Sequence, residues 1–543
     1  MPNMRLDAGL ERATVTHQGA GRQRTAGTRG STAVTVLVMA CTLLSRLLGF
    51  VRIAVIGALF GASGTADVWN AVFTIPNNLR KLTAEGALSS AFIPSLSASL
   101  VEDATKERAR LLVRKIIYFQ IVLLLPLVLL CTVFSRQVVG VLLSFPDPAK
   151  MQLSVELFRW IFGYILFVSL SAALMAVLNS HGIFIVPALS PVLFSLCVIS
   201  ATLLFYRRLG VFSMAIGVLA GGIAQIICQL PFFFRLGYDL KPDLGFGHPR
   251  FSRILKSWLP VLASAAIFAA TQQIAVLFAS GLEDGSTSAL SYALVFFQLP
   301  FGIFSISIIT VLFPRMSRQA AGRDMRGLQE TVSYGLRYIM ILLVPAALMY
   351  ILMGEQIISV AMERFAFGDR GTQWTSQVLT GYSLGLFSLG GFTFLQRFFY
   401  SNHDFKKPLT AAALVSVSDI LLSLWLKETE LRVTGLAVAN SVAFSLGFVL
   451  LLIWARKVLG SLHGRLILRS IGKMALSLLP FAGFLLLYLR VTMPWWTPRS
   501  SLRNLLLLLI GAVAAAAILL GMYRILGVEM IKDMIRRKGR EGR

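Results

Sequence analysis

The chain reads as an all-α polytopic membrane protein with about fourteen transmembrane helices, and three observations predict it. Apolar residues fill 56% of its 543 positions and charged residues only 14%, too little polarity to cover a soluble protein of this size. Mean hydropathy is +0.75. Largely apolar runs of about 20 residues, the length of a helix that crosses a bilayer, recur from end to end.

Residues 1–31 are polar, rich in Gly, Arg and Thr, and lack an apolar core, so they read as a disordered basic tail. No cleavable signal peptide is expected, because the first apolar run is too long. That run is the first helix, 33–60. The second, 67–98, holds IPNNLRKLTAEGALSSAFIP, where Pro76 and Gly86 predict an irregular helix. Helices at 111–143, 152–180, 184–206 and 210–235 complete a first group of six. A second six follow at 254–280, 286–314, 328–353, 374–402, 408–426 and 432–455. The last two, 470–490 and 502–526, precede a basic tail at 528–543.

The two groups of six look duplicated. Pro187 opens the fifth helix after NSHGI, and Pro408 opens the eleventh after SNHD, an offset of 221 residues. Pro94 in FIPSLS and Pro314 in LFPRMS close the second and eighth helices, an offset of 220. Six is even, so the halves share one topology and form parallel repeats about an axis along the membrane normal. The expected domains are an N-lobe at 32–250, a C-lobe at 251–460, and an added helix pair at 461–527. Two such bundles form an alternating-access architecture, with the site between them.

The net charge of +26 is not a nucleic-acid signal, because it lies mostly in short loops and tails. There it sets topology and meets anionic lipid headgroups. With both termini in the cytoplasm, the inner loops hold twenty-one basic residues and the outer loops ten, as the positive-inside rule requires. Arg207 and Arg208 run against it. The four cysteines, Cys41, Cys131, Cys197 and Cys228, fall inside helices without metal-ligand spacing and read as small apolar packers.

Intramembrane charge gathers in the first two helices. Arg46 and Arg52 interrupt SRLLGFVRIAVIGALFG, Asp67 opens the second helix, and Arg80, Lys81 and Glu85 lie within it. An arginine near the bilayer centre costs roughly 2.5–3.5 kcal/mol on insertion scales. Arg46 and Arg52 are six residues apart, about 120° around a regular helix, so one face cannot hold both. Either Gly49 allows a bend or the two have different partners. A guanidinium fork suits phosphate, so the cluster predicts a water-filled cavity for a phosphate or diphosphate. The alternative is snorkelling, or internal pairing with Asp67 or Glu85. In the second half, Asp419 and Asn440, with Gln272 and Gln273, are polar positions that would hold Na⁺, take a proton at Asp419, or simply hydrogen-bond between helices. Arg337 and Arg397 are expected to snorkel, and Trp495 and Trp496 to anchor at the interface.

No enzyme signature is present: HExxH, a P-loop and GxSxG are all missing, and no cofactor or metal is expected. Na⁺, H⁺ and the membrane potential stand as candidate energy sources.

The stretch SRLLGFVRIAVIGALFGASGTADVWNAVFTIPNNLRKLTAEGALSSAFIPSLS resembles the MurJ (MviN) family of lipid II flippases, in the multidrug/oligosaccharidyl-lipid/polysaccharide exporter superfamily. The resemblance continues through LNSHGIFIVPALSPVL, YGLRYIMILLVPAA and FYSNHDFKKPL and spans about residues 33–525. It implies two lobes, a lipid-tail groove on the last two helices, and a cationic cavity that binds the diphosphate-sugar head of lipid II. By resemblance, Arg46, Arg52 and Arg80 match the family's cavity arginines, and Asp67 and Glu85 match acidic positions of the same motifs. Two departures stand out. Ile53 follows the second arginine where an acid is common, and SYALVFFQLP replaces a segment like YADRLxExP, so Val295, Leu294 and Gln298 stand for an arginine and two acids. The expected function is a lipid II flippase of the bacterial inner membrane, in contact with anionic lipids and cell-wall synthesis proteins. The alternatives are export of another polyprenyl-diphosphate-linked glycan, and a non-transporting scaffold of cell-wall assembly.

Overall fold

A computed structural model describes residues 24–83, 107–243, 249–460, 464–497 and 502–528, with isolated positions 96, 100, 245 and 462. Its described elements are helical: α1 (Arg24–Phe60), α2 (Gly64–Thr83), α3 (Glu107–Val133), α4 (Ser135–Leu142), α5 (Pro148–Ile161), α6 (Tyr164–Ser180), α7 (Ile185–Leu209) and α8 (Phe212–Arg235). These are followed by α9 (Pro249–Ser280), α10 (Ser286–Pro300), a π-helical turn (Phe301–Ser305), α11 (Ile306–Ala321), α12 (Met325–Met362), α13 (Asp369–Ser383), α14 (Leu386–Ser401), α15 (Lys406–Leu426) and α16 (Arg432–Leu459). The chain then forms α17 (Gly464–Thr492), a short 3₁₀ turn, and α18 (Leu502–Ile525).

Among the described residues eleven spans are long and apolar enough to cross a membrane, and the pair α13–α14, bent by 45°, makes a twelfth. The second and seventh predicted spans behave differently. α2 carries Asp67, Arg80 and Lys81, and α9 carries Gln272 and Gln273 among its apolar residues. These two polar helices pack against each other, so their polar groups meet protein rather than lipid.

Several boundaries differ from expectation. α1 starts at Arg24 instead of near residue 33, because extending an existing helix costs far less than nucleating one. The predicted tail therefore keeps only residues 1–23 outside the described chain. The third span breaks between α3 and α4, and the fourth between α5 and α6. α5 begins early, with Pro148 in its first turn and the Asp147 side chain accepting the Ala149 N–H at 2.9 Å.

The core is divided. One large apolar cluster draws on residues 279–462. Two others draw on residues 56–276 and 96–251. α17 and α18 dock on α12 through Met353, Phe481, Leu485 and Ala515 and leave many leucines facing outward, as a lipid-facing helix pair does.

Two proline sites show how the bends are satisfied. Pro300 has no N–H for the carbonyl of Phe296, and the Tyr350 hydroxyl donates to that oxygen instead, at 2.8 Å. Pro345 leaves the carbonyl of Ile341 in the same position, and the Tyr523 hydroxyl of α18 donates to it at 2.9 Å. On the face nearer the chain termini, the segment after α8 is strapped to α3. Lys115 pairs with Asp243 at 2.9 Å, the Tyr118 hydroxyl donates to the carbonyl of Leu240 at 2.7 Å, and Arg114 grips Asp239. Hydrogen bonding from Arg114 holds the Asp239 carboxyl below the usual carboxylate range.

Candidate functional site

Of the charged residues of α1 and α2, Asp67 is buried, Arg52, Arg80 and Lys81 are half-buried and Arg46 is exposed. Along a regular helix, Arg46 lies roughly 20 Å from the end of α1 at Phe60, and Arg80 lies roughly 20 Å from Asp67. Both therefore lie inside the apolar layer, about two-thirds of its roughly 30 Å thickness from the face away from the chain termini.

Arg46 and Arg52 have different partners, as their 120° separation requires. Arg52 turns toward the first half of the chain, with its guanidinium 5.2 Å over the ring of Phe194, a ring that itself packs on Tyr164. The Nε of Arg80 donates to Asn77 Oδ1 at 3.2 Å. Arg46 turns toward the second half and lies against Gly302 in the π-helical turn. Phe50, one turn on, meets Phe296 of α10 edge-on at 5.4 Å. α1 continues through Gly49 without a break. Arg52 thus lies on the side of α1 toward α7, and Arg46 on the side toward the π-helical turn.

Two polar bridges cross from α2 to α9 at a similar depth. Lys81 Nζ donates to Gln272 Oε1 at 2.6 Å, and Asn78 Nδ2 reaches Gln273 Oε1 and the carbonyl of Ala269, both at 3.5 Å. Lys81 stands out in the sequence only as the neighbour of Arg80. Its role as a bridge depends on Gln272, some 190 residues away.

Asp67 is not presented to this region. It is buried, 2% exposed, and its two oxygens accept the backbone N–H groups of Gly285 at 2.6 Å and Ser288 at 2.8 Å. Those amides are at the N-terminus of α10, so Asp67 caps a helix in the opposite half of the chain, where the helix dipole favours a negative charge. In this structure both oxygens of its carboxylate are engaged by the backbone. Gly285 takes φ +98° and brings the turn against the carbonyl of Ala62, where an added Cβ would sit 2.9 Å from oxygen. Around the cap, Asn70 Nδ2 donates to Ser288 Oγ at 3.3 Å, the Tyr292 hydroxyl to the carbonyl of Gly61 at 3.1 Å, and Lys150 pairs with Asp284. Ser144 and Ser280 meet nearby, Oγ to Oγ at 3.4 Å. The face away from the chain termini is therefore closed by a seam of polar contacts. Glu85 lies outside the described residues.

Asp419 and Asn440 do come together. Asn440 Nδ2 donates to Asp419 Oδ2 at 2.8 Å, and Ser423 Oγ to Oδ1 at 3.3 Å. The carboxylate is buried, and this pairing between α15 and α16 is the interhelical hydrogen bond that the sequence left as one of its alternatives. Among the described residues no three His, Cys, Asp or Glu side chains gather as a metal site. Arg337 is 8% exposed and bonds the carbonyl of Ser333, so it packs instead of snorkelling. Arg397 is exposed, over Phe313 and Tyr400.

Residues 56–507 match the family described as "Lipid II flippase MurJ". A protein of Borreliella burgdorferi named "Probable lipid II flippase MurJ" is 32% identical over 503 residues, covering 93% of this chain and 98% of its own. A protein of the same name from Vibrio cholerae is 31% identical over 432 residues, covering 77% of this chain and 81% of its own. Among solved structures, "Lipid II flippase MurJ, inward closed conformation" superposes with a TM-score of 0.75 at 25% identity, over 90% of this chain and 99% of that one. An inward-facing multidrug transporter of the MATE family gives 0.66 at 12% identity, over 79% of this chain and 98% of that one, which is a likeness of fold.

Proposed function

Because this chain belongs to the MurJ family of lipid II flippases, we propose that it carries lipid II from the inner to the outer leaflet of a bacterial inner membrane by alternating access. Arg46, Arg52 and Arg80 bind the diphosphate and the acidic groups of the headgroup, with Lys81 beside them. The observation that carries this reading is the placing of three guanidinium groups well inside the apolar layer on two adjoining helices, α1 and α2. Such an arrangement is costly unless an anion visits it. In this reading the lobes are residues 32–250 and 251–460, residues 461–527 hold the lipid tail, and the tails at 1–31 and 528–543 lie in the cytoplasm beside anionic headgroups. Glu85 stays a candidate contact in the same motif. The Asp419–Asn440 pair is the candidate for cation coupling, with the membrane potential as the other energy source, and cell-wall synthesis proteins are the candidate partners.

One observation favours another cargo, a different polyprenyl-diphosphate-linked glycan: residues 286–305, whose Gly302 lies against Arg46, carry no charge. The deciding experiment is rescue of a bacterium depleted of its own lipid II flippase. This protein should rescue growth and its Arg80→Ala variant should not, at equal membrane levels. Failure of the unaltered protein despite normal insertion would count against lipid II as the cargo.

A further inference from the structure

α1 turns one stripe, Arg46, Phe50, Ile53 and Gly57, toward the second half of the chain. Phe50 and Ile53 pack on its apolar cluster, and Gly57 faces Met362 and Phe367. Opposite Arg46 the facing helix changes form. Pro300 removes one donor from the ladder, and the next turn, Phe301–Ser305, is π-helical. A π turn inserts an extra residue into a helix and rotates the turns after it out of register, and such turns recur at functional sites. Gly302 stands in this turn and leaves a notch. The Arg46 guanidinium occupies it: a Cβ built on Gly302 would overlap a terminal guanidinium nitrogen and lie 3.3 Å from Cζ. The wall that holds the notch has no cation of its own, for STSALSYALVFFQLPFGIFS is uncharged.

We propose that Gly302 is a positioning residue for transport: its missing side chain seats Arg46 against the opposite half of the molecule, so that an anionic headgroup meets a cation on both walls of the cleft. The inference rests on the transport reading above and adds a residue with no charge and no polar side chain to it. Arg46 touches the substrate, and Gly302 acts only through Arg46.

The test combines a double-mutant cycle with a measurement that needs no substrate. Binding of lipid II to the purified full-length protein is compared for wild type, Gly302→Ala, Arg46→Ala and the double variant. Displacing one charge-assisted contact should weaken binding roughly tenfold in Gly302→Ala, and the same change in the Arg46→Ala background should add nothing. In parallel, labelling of arginines with a dicarbonyl reagent is read by mass spectrometry. Gly302→Ala should raise the labelling of Arg46 and leave that of Arg52 unchanged. Unchanged Arg46 labelling overturns the proposal, as does a binding loss of equal size with and without Arg46, which would make Gly302 a matter of helix shape. If the unaltered protein does not bind lipid II at all, the transport reading fails, and the labelling result still decides whether Gly302 positions Arg46.

Discussion

Among single residues, Asp67 shows most clearly how chemistry follows from surroundings. A carboxylate inside an apolar layer takes its partners from the donors that the fold brings to it. Both oxygens hold backbone amides of the α10 N-terminus, each a charge-assisted hydrogen bond of about 1.5–3 kcal/mol. Asp67→Asn keeps the shape but sets an NH₂ against one of those amides, and it removes the charge from the helix N-terminus. The closed seam should then open more often, by a shift of about 1–3 kcal/mol. Thr287, one residue before the capped Ser288, is buried with an unpartnered hydroxyl, so a cysteine there perturbs little. In a background without the four native cysteines, a thiol at 287 should react several times faster with a water-soluble maleimide when Asp67→Asn is present. Equal rates would mean that the cap does not hold the seam. The arginines were legible in the sequence because each violates the hydropathy around it. The partners of Asp67 were not, since a backbone N–H has no residue identity, and Gly302 looked like any glycine in an apolar run.

For whole elements, hydropathy gave the all-helical class and the order of the helices, but not their interruptions; eleven or twelve of the fourteen expected spans stand out by length and apolarity among the described residues. The breaks at Phe134 and Gly163, and the bend between α13 and α14, leave no trace in composition because packing against neighbours decides them. The prolines were visible, but the groups that complete them were not. At Pro345 the carbonyl of Ile341 has no donor in its own helix, and the Tyr523 hydroxyl supplies one from α18. Tyr523→Phe should therefore strand a buried carbonyl and cost about 1–3 kcal/mol, read as a lower midpoint of thermal unfolding in detergent. Tyr488 is the control. Its hydroxyl also donates to a carbonyl, that of Leu507, but the residue one turn on is Gly511, whose N–H is present. Tyr488→Phe should cost less. In a Pro345→Ala background the loss at Tyr523 should shrink, because the restored N–H takes over. A full loss in that background would show that Tyr523 stabilises by packing alone.

For the molecule as a whole, the two halves meet along α2, α9 and α10, and the contacts there differ in kind with depth. Inside the apolar layer lie the arginines and the Lys81–Gln272 bridge, flexible side chains that can exchange partners. At the face away from the termini lie short-range contacts that cannot persist if the halves separate: the Asp67 cap, Lys150 with Asp284, and Ser144 with Ser280. Alternating access by rocking of two lobes requires this seam to open once per cycle. Transport by a route that leaves the lobes fixed does not. Ser144 and Ser280 offer the means to choose. Their hydroxyl oxygens are 3.4 Å apart, near enough for a disulfide of about 2.05 Å between sulfurs after small rotations, and they come from the first and second halves of the chain. With the native cysteines removed, Ser144→Cys with Ser280→Cys should cross-link under oxidation, stop rescue of the flippase-depleted bacterium, and recover when a reductant is added. Each single variant should rescue under both conditions. Sustained rescue by a fully cross-linked protein would exclude opening of this seam, and rocking of the lobes with it, while leaving the arginine cluster to serve some other path for the headgroup.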